Sequence, residues 1–235
     1  GRRRVLPELA QRISGSTTHV LFLVLELVPG GTLFSLQSAQ PGHRFNEEQT
    51  RFYTAEIYLA LAYLHSLRIN FRDLKPENVL MTSAGPIKLT DFGMAKELLS
   101  SEERHHSVLG TPQFMAPEII EHHGYGFPVD FWALGCLVFE MFHSYSPFAH
   151  ESLKKMFMLI LKADFERPLK AKMSREAEDF IKCLLRRNPQ ERLTASTARD
   201  HPFFHGVDWN ALGRCEVTPP LLPPSQLMSS TPRKS

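Results

Sequence analysis

Phe71-Arg72-Asp73-Leu74-Lys75-Pro76-Glu77-Asn78, followed by Asp91-Phe92-Gly93, is the stretch that decides the fold. Two acidic groups, one lysine and one asparagine stand at fixed spacing in two short loops. Phosphoryl transfer asks a protein mainly for positioning and charge compensation. Asp73 is the candidate acceptor for the proton of an attacking hydroxyl. Lys75, two residues on, can offset the charge of a phosphate in transit. Asn78 and Asp91 offer hard oxygen ligands, which suit Mg²⁺ bridging phosphate oxygens. Gly93 is expected to free the backbone for a sharp turn after Asp91. A lone Asp in a loop is more often a turn or cap residue, so the ordered combination carries this reading.

Working outward, Val79-Leu80-Met81 and Ile87-Lys88-Leu89-Thr90 flank Ser83-Ala84-Gly85-Pro86 and predict a hairpin between the two loops. Asn46 and Gln49 have capping-box spacing, and Phe52, Leu59, Tyr63 and Leu67 recur at helical intervals behind them, so a helix is expected over about 47–67. Phe131 to Phe142 is apolar on nearly every face, which predicts a helix at the centre of a core. Ser174 should cap a helix striped by Ala177, Phe180, Ile181, Leu184 and Leu185. Val20 to Leu25 reads as a buried strand broken by Pro29-Gly30-Gly31. Residues 216–235, rich in Pro and Ser, should be extended or disordered.

Composition narrows the function. With 27 basic and 25 acidic residues the net charge is +2, too balanced to point to nucleic acid. The run Arg2-Arg3-Arg4 reads as a solvated surface. Cys136, Cys183 and Cys215 form no CxxC pair, so neither a metal cluster nor a disulfide framework is expected and a reducing compartment fits. The greasiest stretch, Val20 to Val28, is interrupted by Glu26 and too short to span a bilayer. No signal peptide or internal repeat is visible, and no membrane partner is expected.

The two loops, the hairpin between them, Gly110-Thr111-Pro112 and Ala116-Pro117-Glu118 occur in the order found in eukaryotic protein kinases, and the chain resembles that family from about Val20 to Pro224. Within it the chain is most similar to the AGC group of Ser/Thr kinases and to the ribosomal protein S6 kinases. Lys88 to Gly93, His201-Pro202-Phe203-Phe204, Val207-Asp208-Trp209 and Val217-Thr218-Pro219-Pro220 carry that match. The resemblance implies an α+β kinase fold: residues 1–31 as the end of the small β lobe and the hinge, 32–204 as a mostly helical C-lobe, and 205–235 as the start of an AGC-type tail. It implies a Ser/Thr protein kinase that uses ATP and Mg²⁺, acts on protein substrates and is a monomer. A cytoplasmic location is expected, with the nucleus as a further compartment.

Family roles carry over to matching positions. Asp73, Lys75, Asn78 and Asp91 would be catalytic, the last two holding metal. Glu26, Leu27 and Val28 resemble the adenine-binding hinge, with Leu25 as gatekeeper, Leu80 as the floor beneath the ring and Thr90 beside the nucleotide. Ordinary core packing is the plainer reading for Leu25 and Leu80, and the two readings can hold together. Glu118 should pair with a buried Arg192, and Asp130 should brace the catalytic loop. Ser107 stands where AGC kinases carry an activating phosphate placed by an upstream kinase, with Arg72 as its partner. Glu77 and Glu140 match positions that contact basic residues before the acceptor, while Val108, Thr111, Pro112 and Met115 would shape the site around and after it.

The chain also departs from the family. Thr32 replaces an acidic residue common after the hinge, and Phe71 stands where many kinases have His or Tyr. No Gly-x-Gly-x-x-Gly and no lysine precede Glu26. Arg4-Val5-Leu6 resembles the middle of the regulatory helix, which puts Arg2 where its glutamate belongs. An N-terminally truncated kinase is therefore expected, weak or inactive as an isolated chain. The other reading is a real short product, a catalytically impaired kinase-fold interaction module.

Overall fold

The computed structural model describes residues 9–13, 22–99, 103–164 and 173–222. Strand β1 (Leu9–Ile13) pairs antiparallel with β2 (Phe22–Leu25), Ile13 opposite Phe22 and Leu9 opposite Leu25. β2 falls within the expected strand, whereas β1 is not apparent in the sequence pattern. The positions compared with the regulatory helix, Arg2 and Arg4 to Leu6, lie outside the described residues.

Pro29-Gly30-Gly31 ends the strand as its composition predicts. Gly30 is required there because a Cβ would stand 2.3 Å from the Met81 carbonyl oxygen. Helix α1 (Leu33–Ser38) follows, its N-terminus capped by Thr32, whose Oγ1 accepts from Ser35 N at 3.1 Å. The residue that departs from the family's acidic position thus serves as a helix cap.

Helix α2 (Glu47–Ser66) opens on the expected capping box, with Asn46 Oδ1 accepting from Gln49 N and Gln49 Oε1 accepting from Asn46 N, both at 2.9 Å. The short β3 (Ile69–Asn70) leads into the first chemical loop. The hairpin β4 (Val79–Met81) and β5 (Ile87–Leu89) pairs Val79 with Leu89, so its open end presents Asn78 beside Thr90 and Asp91. Beyond it, β6 (Lys96–Glu97) pairs with β3.

Helix α3 (Pro117–Ile120) precedes α4 (Pro128–His143), the centre of the core. Trp132, Leu134, Cys136, Leu137, Val138, Phe139 and Met141 are fully buried. Gly135 lets α6 approach, since a Cβ there would lie 2.8 Å from Leu184 Cβ. Between them α5 (Leu153–Lys162) is capped by Ser152, and α6 (Arg175–Leu184) by Ser174 as expected.

Helix α7 (Trp209–Gly213) returns the chain to α2, with the Trp209 ring 5.2 Å from Tyr58 and 5.0 Å from Phe204. The segment after it has no regular structure to Leu222, but it is docked rather than loose. Tyr53 Oη donates to Leu221 O at 3.2 Å, and Pro219 fills the space a side chain on Gly85 would need. Residues 223–235 lie outside the described residues. Among those described, no helix is long and apolar enough to cross a membrane.

Candidate functional site

The loop that holds Asp73 is built on a strained backbone. Arg72 takes a left-handed φ of +69°, uncommon for a side-chain-bearing residue. Asp130, fully buried in the first turn of α4, holds it there. Its Oδ2 accepts from Phe71 N at 2.9 Å and its Oδ1 from Arg72 N at 2.8 Å. His65 Nε2 lies 2.8 Å from Oδ2 and completes the brace. Phe71 is fully buried and packs its ring 5.1 Å from Phe92, which couples the two chemical loops.

Asp73 is 4% exposed and its carboxylate is crowded with donors. Lys75 Nζ donates to Oδ2 at 2.8 Å, Thr111 Oγ1 to Oδ1 at 3.1 Å and Asn78 Nδ2 to Oδ2 at 3.0 Å. Lys75 Nζ also reaches Thr111 Oγ1 at 3.1 Å. Asn78 Nδ2 makes a second bond, to the Asp73 carbonyl at 2.8 Å. The asparagine therefore spends its N–H groups on Asp73, and its Oδ1 takes no part in these bonds. Thr111, read from the sequence as a substrate contact, is structurally a member of this knot.

Asp91 is exposed at the open end of the hairpin, and Thr90 N donates to Asn78 O at 3.0 Å beside it. The backbone turn expected at Gly93 lies instead on Asp91, whose φ is +61° and ψ +71°. Gly93 lies in the short 3₁₀ turn that follows and donates its N–H to Asp91 Oδ1 at 3.3 Å. A Cβ on Gly93 would press on that same oxygen at 3.2 Å, so the glycine makes room for the carboxylate rather than for the turn.

The positions compared with the hinge are largely exposed. Leu25 is 50% exposed, so among the described residues it is not a core residue, and Leu27 is 84% exposed. Val28 is half-buried, and Glu26 pairs with Lys88 of β5 at 2.5 Å. Leu80 is partly buried, and a β-bridge to Thr32 places it beneath the chain leaving the hinge.

Away from the loops, Arg192 and Glu118 form the expected bidentate pair at 2.7 and 3.0 Å. Glu140, near the C-terminal end of α4, has a buried Oε2 without a partner. Burial first, then the negative charge of Glu77, pushes its pKa up to about 7. Glu77 itself is exposed. Met115 is buried, whereas Val108 and Pro112 are exposed.

Ser107 is exposed, and Arg72 Nη1 lies 3.3 Å from its hydroxyl. Arg72 Nε also donates to Met94 O at 2.5 Å. Two residues of this neighbourhood escape sequence reasoning. Tyr125 Oη donates to Ser107 O at 2.8 Å. His105 is buried with neither ring nitrogen partnered; burial, then the charges of Arg72 and Lys96, holds its pKa below the usual value.

A second cluster brings ligand atoms of Asp179, Cys183 and His201 within 4.8 Å of one another. His201 Nδ1 accepts from Phe203 N at 3.2 Å, which leaves Nε2 as the protonated nitrogen that faces Asp179 Oδ2 at 3.2 Å. With both nitrogens so engaged the imidazole is a helical cap, and the arrangement does not suit a metal.

The structure thus combines a helical lobe, a buried aspartate in a braced loop, and an asparagine and an aspartate at one hairpin end. The family model of the protein kinase domain matches residues 11–204, and the chain belongs to that family. It is 42% identical over 88% of its length to "Ribosomal protein S6 kinase 2 alpha" of Gallus gallus and to "Ribosomal protein S6 kinase alpha-2" of Homo sapiens, and covers 28% of each. "Ribosomal protein S6 kinase 2 beta" of Xenopus laevis is equally similar, with 33% of it covered. The chain thus spans about a third or less of the curated relatives it matches, which agree with the AGC resemblance read from the motifs.

Proposed function

We propose that the protein is a Ser/Thr protein kinase that transfers the γ-phosphoryl group of ATP to Ser or Thr hydroxyls of protein substrates. The observation that carries this is the buried Asp73 carboxylate, held by Lys75, Asn78 and Thr111 beside Asn78 Oδ1 and the exposed Asp91. Asn78 and Asp91 are the residues that would hold Mg²⁺, and both offer the hard oxygen donors it requires. A cation held there would supply positive charge to offset that of the phosphates.

The chain's own residues supply the rest. Asp73 orients the acceptor hydroxyl and takes its proton. Lys75, already seated between Asp73 and Thr111, places its positive charge at the phosphoryl group in transit. Leu25, Glu26, Val28, Leu80 and Thr90 line the nucleotide end. Glu77 and Glu140 receive a basic side chain upstream of the acceptor, and Pro112 and Met115 border the residues after it. Ser107 is the site of an activating phosphate from an upstream kinase. A cytoplasmic setting, with the nucleus as a second compartment, belongs to the same reading, and the unpaired thiols of Cys136, Cys183 and Cys215 fit it.

The test is transfer of labelled phosphate from ATP to a serine peptide with upstream arginines, catalysed by the intact protein. Asp73→Asn should lower the rate by at least ~10²–10³-fold, the scale expected when proton transfer and positioning are both lost. Binding of the nucleotide without transfer by the unsubstituted protein would refute the enzyme reading and favour the interaction module.

A further inference from the structure

Tyr125 belongs to the loop before α4 and to none of the motifs above, yet its hydroxyl sits at the centre of the Ser107 neighbourhood. Oη donates to Ser107 O at 2.8 Å and stands 3.3 Å from Ser107 Oγ. Arg72 Nη1 lies 3.3 Å from Tyr125 Oη and 3.3 Å from Ser107 Oγ. Arginine, tyrosine and serine thus form a closed triangle of polar groups next to the catalytic loop.

The ring is fixed as firmly as the hydroxyl. Tyr125 is 3% exposed, and its backbone exchanges two N–H···O bonds of 2.9 Å with His105 across an isolated bridge. The His105 ring lies edge-on against it, with centroids 5.5 Å apart. A buried imidazole with no polar partner contributes packing here, and what it packs is the tyrosine. The phenol is therefore held in place before any modification occurs.

We propose that Tyr125 is a positioning residue for a phosphate on Ser107. This rests on Ser107 being the regulatory site of the proposed function. The phenol has one proton. In the unmodified chain it goes to the Ser107 carbonyl, whereas a dianionic phosphate on the adjacent Oγ is the stronger acceptor. Phosphorylation would turn the hydroxyl from the carbonyl to the phosphate, so that Arg72 and Tyr125 grip it together. Arg72 is continuous with Asp73, so the grip is felt at the site of transfer.

The experiment uses the intact protein with phosphoserine installed at position 107 by genetic encoding, with and without Tyr125→Phe. The ³¹P resonance of the phosphoserine is titrated through its second ionisation. Loss of a donor to the dianion should move the midpoint upward, and an added phosphatase should remove the phosphate about ten-fold faster, the equivalent of one charge-assisted hydrogen bond. An unchanged midpoint and unchanged removal rate would overturn the proposal, because a tyrosine that only packs would leave the phosphate's titration alone.

Should Tyr125→Phe fail to fold, the unsubstituted protein still decides. The ¹³Cζ resonance of Tyr125 should move with the same midpoint as the ³¹P signal, and a flat response would refute the contact. Turnover with and without the phosphate tests the reading beneath. If phosphorylation leaves turnover unchanged, the regulatory role of Ser107 falls and takes this positioning role with it, while the ³¹P titration still reports whether the contact forms.

Discussion

Replacing Asp130 with alanine should loosen the catalytic loop far more than it loosens the core. The carboxylate accepts from Phe71 N and Arg72 N and faces His65 Nε2, all within 2.9 Å. Phe71 is fully buried, so no water can replace the lost acceptor at its N–H. A buried donor left unsatisfied costs roughly 1–3 kcal/mol, with charged acceptors towards the upper end. Arg72 is partly buried and retains some access to water, so its share is smaller. Its left-handed φ of +69°, worth on the order of 1–3 kcal/mol of strain, then has nothing to hold it.

The two lost acceptors together cost roughly 2–4 kcal/mol, a large part of the ~5–15 kcal/mol that stabilises a typical domain, and the strain, present before the change, adds nothing to that loss. The chain can recover some of it by letting Arg72 relax, and relaxation moves Asp73. Asp130→Ala should therefore remain folded in the intact protein, lose ~2–4 kcal/mol in urea denaturation and lose at least ~10²-fold in turnover. Asp130→Asn keeps one acceptor but turns an N–H₂ group towards the other amide, and should fall between. Hydrogen exchange at Phe71 and Arg72 is the discriminating assay, since both amides should exchange much faster in the alanine variant. Unchanged protection at Phe71 together with a stability loss under ~1 kcal/mol would show that the brace does not hold the loop.

Two further predictions concern charge. Glu118→Ala leaves the guanidinium of Arg192 buried beside Trp132 without its carboxylate, and should destabilise by about 3–5 kcal/mol in urea denaturation. Glu118→Leu combined with Arg192→Met should recover part of that loss, though not the bonds Arg192 makes to the carbonyls of Arg186 and Pro128. Equal stability of the single and double variants would count against the unpaired charge as the cause. Glu140, with its pKa pushed up to about 7 by burial and by Glu77, is largely protonated at pH 6 in the free protein and largely ionised at pH 8. A basic peptide needs the ionised form, so its affinity should rise about ten-fold from pH 6 to pH 8 and level off above. Glu140→Gln should flatten that rise, and isothermal titration of both proteins across this range would show it.

Much of the fold was legible because the signals are local. The Asn46–Gln49 capping box, the Ser174 cap, the hairpin around Gly85 and the all-apolar α4 are written within a few residues of where they act. The features that escaped depend on partners distant in sequence. β1 mixes Gln11 and Arg12 with apolar residues, and only pairing with β2 makes it a strand. Tyr125 carries no motif, and its hydroxyl matters because the chain folds it against Ser107 and Arg72. The docking of Val217 to Leu221 follows from Tyr53 and Gly85, which no pattern in the tail reveals. At Gly93 the residue type misled, because the left-handed turn lies on Asp91 and the glycine serves clearance. Leu25 misled in another way: a greasy residue at the end of a strand reads as core, yet half of it faces outward.

Helix α4 explains how a strained site can be precise. It is buried on nearly every face, so it cannot shift without moving the core, and Gly135 locks it against Leu184 at a contact that admits no side chain. Asp130 stands in its first turn and Glu140 ten residues further on, a separation of ~15 Å along the axis. One end holds the loop of Asp73 in a conformation its backbone would not choose. The other end, in the proposed reading, receives the basic residue that sets where a substrate lies. The distance between chemistry and recognition is thus fixed by the rise of a single rigid helix. Arg72 keeps an unfavourable backbone angle because Asp130 holds its amide, and in the proposed reading this strain lies in a loop where a small displacement would matter to transfer.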